Sequence, residues 1–83
     1  MKYFFKPAAL KDLKKLPRIV QRRIITKFDF YTAAIDPLKF SEELKDPRLG
    51  ERRFHIGDYR ALFDVERDRI IILKVGHRKD IYK

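Results

Sequence analysis

Eighty-three residues at 10.1 kDa make one small domain, 1–83, which buries only about 60% of its unfolded surface and has no room for a deep enclosed pocket. The absence of cysteine excludes disulfides, thiolate metal sites and cysteine nucleophiles, and fits a reducing cytoplasm. The 21 Lys and Arg against 12 Asp and Glu leave +9, a charge that calls for an anionic partner: nucleic acid, an anionic membrane surface or an acidic protein.

Lys2 to Lys6 reads as a short strand with aromatic residues at three successive positions. Pro7 suits the first position of a helix, and Ala9, Leu10, Leu13 and Leu16 recur at helical spacing behind it. Pro17 ends that helix and opens another, from Arg18 to about Ala34, whose apolar stripe is Val20, Ile24, Phe28 and Tyr31. Together they make a helical hairpin. Asp36-Pro37 breaks it, and the acidic stretch to Gly50 reads as a connection with one helical turn near Ser41 to Lys45. The remainder is β in character: Arg53 to Ile56, a turn at Gly57-Asp58, Tyr59 to Val65, a second turn, and the apolar run Ile70 to Val75. Asp80-Ile81-Tyr82 closes the chain as a short strand or a docked tail. The expected fold class is α+β, with an N-terminal strand, a two-helix hairpin and a meander completing a small antiparallel sheet, the helices packed on one face.

No segment approaches the ~18–20 apolar residues of a membrane span, and the apolar cluster near Met1 is briefer than a ~7–15-residue signal-peptide core. A cytoplasmic protein with no membrane partner is expected. The basic residues concentrate in the first third: residues 1–31 hold nine Lys and Arg against two Asp. Lys11, Lys14, Lys15, Arg18, Arg22, Arg23 and Lys27 lie between the apolar helix positions, with Lys45 farther on. They form either a solvated face or a footprint for a phosphate backbone.

A two-residue turn at Gly57-Asp58 pairs Ile56 with Tyr59, His55 with Arg60, Phe54 with Ala61 and Arg53 with Leu62. Alternation then sends Phe54, Ile56, Tyr59, Ala61, Phe63 and Val65 to the core face and gathers Arg53, His55 and Arg60 on the other. His55 and Arg60 become cross-strand neighbours with Cβ atoms ~5 Å apart. Arg offers a fork for phosphate, and imidazole carries a proton that is mobile near neutral pH. Those are parts with which RNA is cut without a metal or cofactor: a base for the ribose 2′-OH, cations for the phosphorane, an acid for the leaving oxygen. The plainer reading is that such arginines are solvated, or pair with a carboxylate such as Asp64. Two histidines without H-x-x-x-H spacing offer no metal motif.

The run Arg52-Arg53-Phe54-His55-Ile56-Gly57-Asp58-Tyr59-Arg60-Ala61-Leu62-Phe63 and the later Val75-Gly76-His77-Arg78-Lys79-Asp80-Ile81-Tyr82 resemble the RelE/ParE superfamily of toxin–antitoxin toxins, RelE branch foremost. The likeness spans essentially the whole chain. It implies a ribosome-dependent mRNA endoribonuclease that inhibits translation, monomeric alone and hetero-oligomeric with a small cognate antitoxin. It implies that Arg60 holds the scissile phosphate, that Arg78 serves the phosphate and leaving group, and that Tyr82 orients or deprotonates the 2′-OH. Arg53 and His55 occupy the positions of two basic residues on the preceding strand, so the general base is either Tyr82 or His55. His77 points to the opposite face from Arg78 if its strand stays regular. Two other functions fit the same fold: a ParE-like inhibitor of DNA gyrase, and a non-catalytic RNA- or antitoxin-binding relic.

Overall fold

The computed structural model describes residues 1–83. In chain order it contains β1 (Lys2–Phe5), α1 (Pro7–Lys14), α2 (Arg18–Ala33), a 3₁₀ turn (Pro37–Phe40), β2 (Ser41–Glu43), β3 (Arg52–Ile56), β4 (Tyr59–Glu66) and β5 (Arg69–His77). One five-stranded sheet runs β1-β5-β4-β3-β2. Pro7 begins α1, where its missing N–H costs nothing, and Pro17 stands immediately before α2.

Both helices bury their apolar stripes on one face of the sheet. Ala9 and Leu13 of α1 and Val20, Ile24, Phe28 and Tyr31 of α2 meet Phe54, Ile56, Ala61, Phe63, Ile70, Ile72 and Val75. Stacked aromatic rings tie helix to sheet: Tyr31 lies 4.5 Å from Phe54, which lies 4.4 Å from Phe63. Each fully buried Phe contributes roughly 1.5–3 kcal/mol. Tyr31 also donates its hydroxyl to the His55 carbonyl at 3.4 Å, fixing the height of α2 over β3.

Three features depart from the expectations. β1 joins β5 in parallel, Phe5 opposite Ile72, so the sheet is mixed rather than wholly antiparallel. Past that point β5 has no strand on its β1 side; Asp12 of α1 accepts the Val75 N–H there at 3.1 Å instead. The helical turn expected near Ser41 to Lys45 lies earlier, at Pro37–Phe40, and Ser41–Glu43 are a strand paired with β3. Pro37 supplies the φ that starts the 3₁₀ turn, and Ser41 opposite Phe54 starts the ladder. Finally, β4 and β5 pair through a bulge between Leu62 and Phe63, and both residues are fully buried. The core-facing residues of β5 are consequently Ile70, Ile72 and Val75, a step of two and then of three.

Leu62 faces away from the helices, so what covers it positions the site. After His77 the chain turns back over the sheet through backbone bonds from Asp80 and Ile81 to the His77 carbonyl, 2.9 and 3.0 Å. Ile81 is 1% exposed. A side chain at Gly76 would start 3.4 Å from its Cδ1, so the bare glycine leaves room for it. The closing segment is a docked tail.

Candidate active site

The hairpin places Arg53, His55 and Arg60 as its register requires. Arg53 is opposite Leu62 and His55 is opposite Arg60, on the helix-free face. Gly57 makes the tight turn possible with φ +60. Beside Arg60 on its other flank stands Gly76, whose missing side chain leaves room there for Ile81 of the returning tail.

Arg53 is the hub. It donates from Nη1 to the Tyr82 hydroxyl at 2.5 Å and from Nη2 to Glu42 Oε2 at 3.1 Å, with its guanidinium 5.7 Å from the Tyr82 ring centre. Its Nε is shut off from solvent without a partner, a local cost of about 1–3 kcal/mol of the kind that concentrates at functional sites. Hydrogen bonding to Glu42 holds the Arg53 pKa above its usual value. His55 Nε2 lies 3.0 Å from Glu42 Oε1. Burial, then Arg60 and Arg53, push the His55 pKa below its usual 6.5 against an upward pull from Glu42. The hydrogen bond from Arg53, then His55, hold the Glu42 carboxyl below its usual range.

Arg60 is half-buried and has no carboxylate partner. Its Nη1 donates to the carbonyls of Gly57 and Tyr59, both at 2.8 Å, which leaves the rest of the fork free. Arg78 is exposed at the far end of the turn, where its backbone N–H donates to the Asp58 carbonyl at 2.8 Å and its Nε lies 3.6 Å from the Asp58 carboxylate. It joins the turn rather than the Arg53–Glu42–His55 contacts. His77 turns the other way: its ring packs edge-on to Tyr59 at 5.4 Å and its Nδ1 accepts the Lys79 N–H.

A shallow cleft of about 410 Å³ runs beside this cluster, lined by Glu42, Lys45, Leu49, Arg53 and Tyr82 among others. Lys45 therefore stands with the site. Lys11, Lys14, Lys15, Arg18, Arg22, Arg23 and Lys27 do not; all are exposed on helices that pack against the opposite face, and none has an ion partner. No three His, Asp or Glu side chains come together as a metal-holding set. No helix is long and apolar enough to cross a membrane.

Sequence reasoning missed Glu42, and Arg53 pairs with it rather than with Asp64, which instead accepts the Glu51 N–H at 3.0 Å. The available signal was charge complementarity: Glu42-Glu43 stand opposite Arg53-Arg52 across β2 and β3.

The family model for the ParE toxin of the type II toxin–antitoxin system parDE matches residues 3–82. Toxin RelG of Mycobacterium tuberculosis is 33% identical over 81 residues, 95% of this chain and 92% of that protein. Toxin RelE3 of Methanocaldococcus jannaschii is 32% identical over 91 residues, covering 99% and 96%. The toxin–antitoxin complex RelBE2 of Mycobacterium tuberculosis contains a chain that superposes with a TM-score of 0.75 at 28% identity, over 93% of this chain and 96% of that one. The RelB–RelE antitoxin–toxin complex of Methanococcus jannaschii gives a TM-score of 0.74 at 29% identity, over 96% and 95%. With the family model spanning residues 3–82 and two toxins above 30% identity aligned along nearly their whole length, this chain belongs to the RelE/ParE family of toxins of type II toxin–antitoxin systems.

Proposed function

We propose that this toxin is a metal-independent mRNA endoribonuclease that cuts on the ribosome in the cytoplasm and so stops translation. The observation that carries the reading is the convergence of Arg53, His55, Arg60 and the Tyr82 hydroxyl on one open sheet face. A ribose 2′-OH gives its proton to a base, attacks the adjacent phosphorus and expels the 5′-oxygen, which takes a proton from an acid. Arg60, the site arginine without a carboxylate, sits on the scissile phosphate, and Arg78 reaches the leaving-group side from the turn. Tyr82 and His55 supply the acid and base. The helix cations and Lys45 form the ribosomal footprint, where a phosphate-rich partner meets Lys and Arg that have no carboxylates of their own. A small cognate antitoxin covers this basic surface in a hetero-oligomer, as the RelB chains accompany the similar toxins above.

A second reading, inhibition of DNA gyrase, draws on the match to the ParE toxin family model. Pulse incorporation of labelled methionine and thymidine after tight induction separates the two, with Arg60→Ala run in parallel. An early fall in methionine incorporation, absent in the variant, is expected. An early fall in thymidine incorporation establishes the gyrase reading instead, and no fall in either reduces the chain to a binding relic.

A further inference from the structure

Glu42 stands inside the cluster with no role in the chemistry above. Its two oxygens are divided: Oε1 faces His55 Nε2 at 3.0 Å and Oε2 accepts from Arg53 Nη2 at 3.1 Å. An ionised carboxylate only accepts, so the imidazole nitrogen facing it carries the ring proton. His55 Nδ1 then has a free lone pair and no partner in the protein, on a side chain 40% exposed. The charged groups facing this ring are Glu42 from β2, Arg53 from β3 and Arg60 from β4, with Tyr82 reaching Arg53 from the tail. Burial and the two arginines keep the ring neutral at pH 7, as a base requires.

Resting on the nuclease reading, we propose that Glu42 is a positioning residue that fixes the His55 proton on Nε2 and so presents Nδ1 as the general base. The Nδ1 lone pair takes the 2′-OH proton, the 2′-oxygen bonds to phosphorus and the phosphorus–5′-oxygen bond breaks. The Tyr82 hydroxyl gives its proton to the 5′-oxygen, and Arg53 already donates to the phenolic oxygen that is left negative. Solvent then returns His55 and Tyr82 to their starting states.

The test rests on how an amide differs from a carboxylate. In Glu42→Gln the single oxygen is claimed by the charged Arg53, so the amide nitrogen faces His55 Nε2 and donates to it. The ring proton moves to Nδ1 and the base is lost, a defect on the order of 10²–10⁴-fold. In Glu42→Ala the ring is free to hold either tautomer, and cleavage falls only about ten-fold. Long-range proton–nitrogen NMR of the full chain reads the tautomer, and cleavage of ribosome-bound mRNA reads the rate. The expected result is Nε2–H in the wild type, Nδ1–H in Glu42→Gln, and Glu42→Gln slower than Glu42→Ala. Any other order overturns the role: a milder Gln variant means ordinary packing, and equal loss with an unchanged tautomer means that Glu42 itself takes the proton. Wild-type protein that leaves mRNA intact sinks the nuclease reading instead, which the NMR result alone cannot do.

Discussion

Arg60→Ala removes the one arginine of the site that no carboxylate neutralises. Its guanidinium is anchored by two carbonyls, of Gly57 and Tyr59, through a single nitrogen, and the remaining donors are free for a phosphate. Losing a charge donor aimed at a developing oxyanion costs about 2.7–4 kcal/mol, a factor of roughly 10²–10³ in rate. The folded state loses two hydrogen bonds at a half-buried position, about 1–2 kcal/mol, so the melting temperature falls by roughly 4–16 °C. Assayed well below that temperature, rate and folding separate. Arg60→Lys keeps the charge without the fork and is expected to fall between wild type and Ala. Because Arg60 also depresses the His55 pKa, the acid limb of the cleavage pH profile moves upward in Arg60→Ala. The assay is single-turnover cleavage of ribosome-bound mRNA from pH 5 to 8. An Ala variant that cleaves at the wild-type rate, or loses activity only in proportion to its unfolded fraction, refutes the assignment.

Tyr82→Phe keeps the ring over Arg53 but deletes the hydroxyl; cleavage should fall at least ten-fold with an unchanged melting temperature, as an acid in proton transfer requires. Ile81→Ala empties the small core on the site face at a cost of roughly 2–5 kcal/mol, more than the tail can lose and stay docked. Hydrogen exchange should accelerate at Asp80 and Ile81 before it does in β4. His55 contributes a pH dependence of known sign. Its folded pKa is depressed, so its stabilising contribution is complete above the unfolded value near 6.5 and is lost as pH falls through the folded one. Thermal melts should weaken below about pH 6.5, and less so in His55→Gln. Reversing Arg22 and Arg23 to Glu should leave the melting temperature within a few degrees, since both are exposed and unpaired, yet weaken ribosome binding and flatten its salt dependence. Sedimentation with ribosomes at graded salt measures it.

The hairpin was legible because turn chemistry and alternation act over a few residues. Gly57-Asp58 sets the register, and every pair from Arg53↔Leu62 to Ile56↔Tyr59 follows from it. The helices followed from their apolar stripes and two prolines. What escaped is non-local. β2 is three polar residues that become a strand only beside β3, so no pattern within Ser41–Glu43 marks it. The bulge that turns Val75 back to the core is set by packing across β4 and β5. The adjacency of His55 and Arg60 could be read; the contact between Arg53 and Tyr82, 29 residues apart, depends on a tail whose return is decided by Leu62, Gly76 and Ile81.

That tail explains how so short a chain holds the Tyr82 hydroxyl in place. An 83-residue domain cannot surround a substrate, so a site must lie on its surface, where long side chains are ordinarily free to move. Here the sheet is used twice. The helix face carries the main core and fixes the strands; Leu62 and Ile81 are buried outside that core, Ile81 over Gly76, next to the residue that delivers the Tyr82 hydroxyl. The bulge matters because its extra residue, Leu73, lies in β5: it returns Val75 to the helix face and leaves Gly76 on the other face, under Ile81. The hydroxyl therefore stands at Arg53 because of apolar contacts one residue away from it. A polar substitution at Leu62, outside the reacting set, is expected to act as a loss of Tyr82.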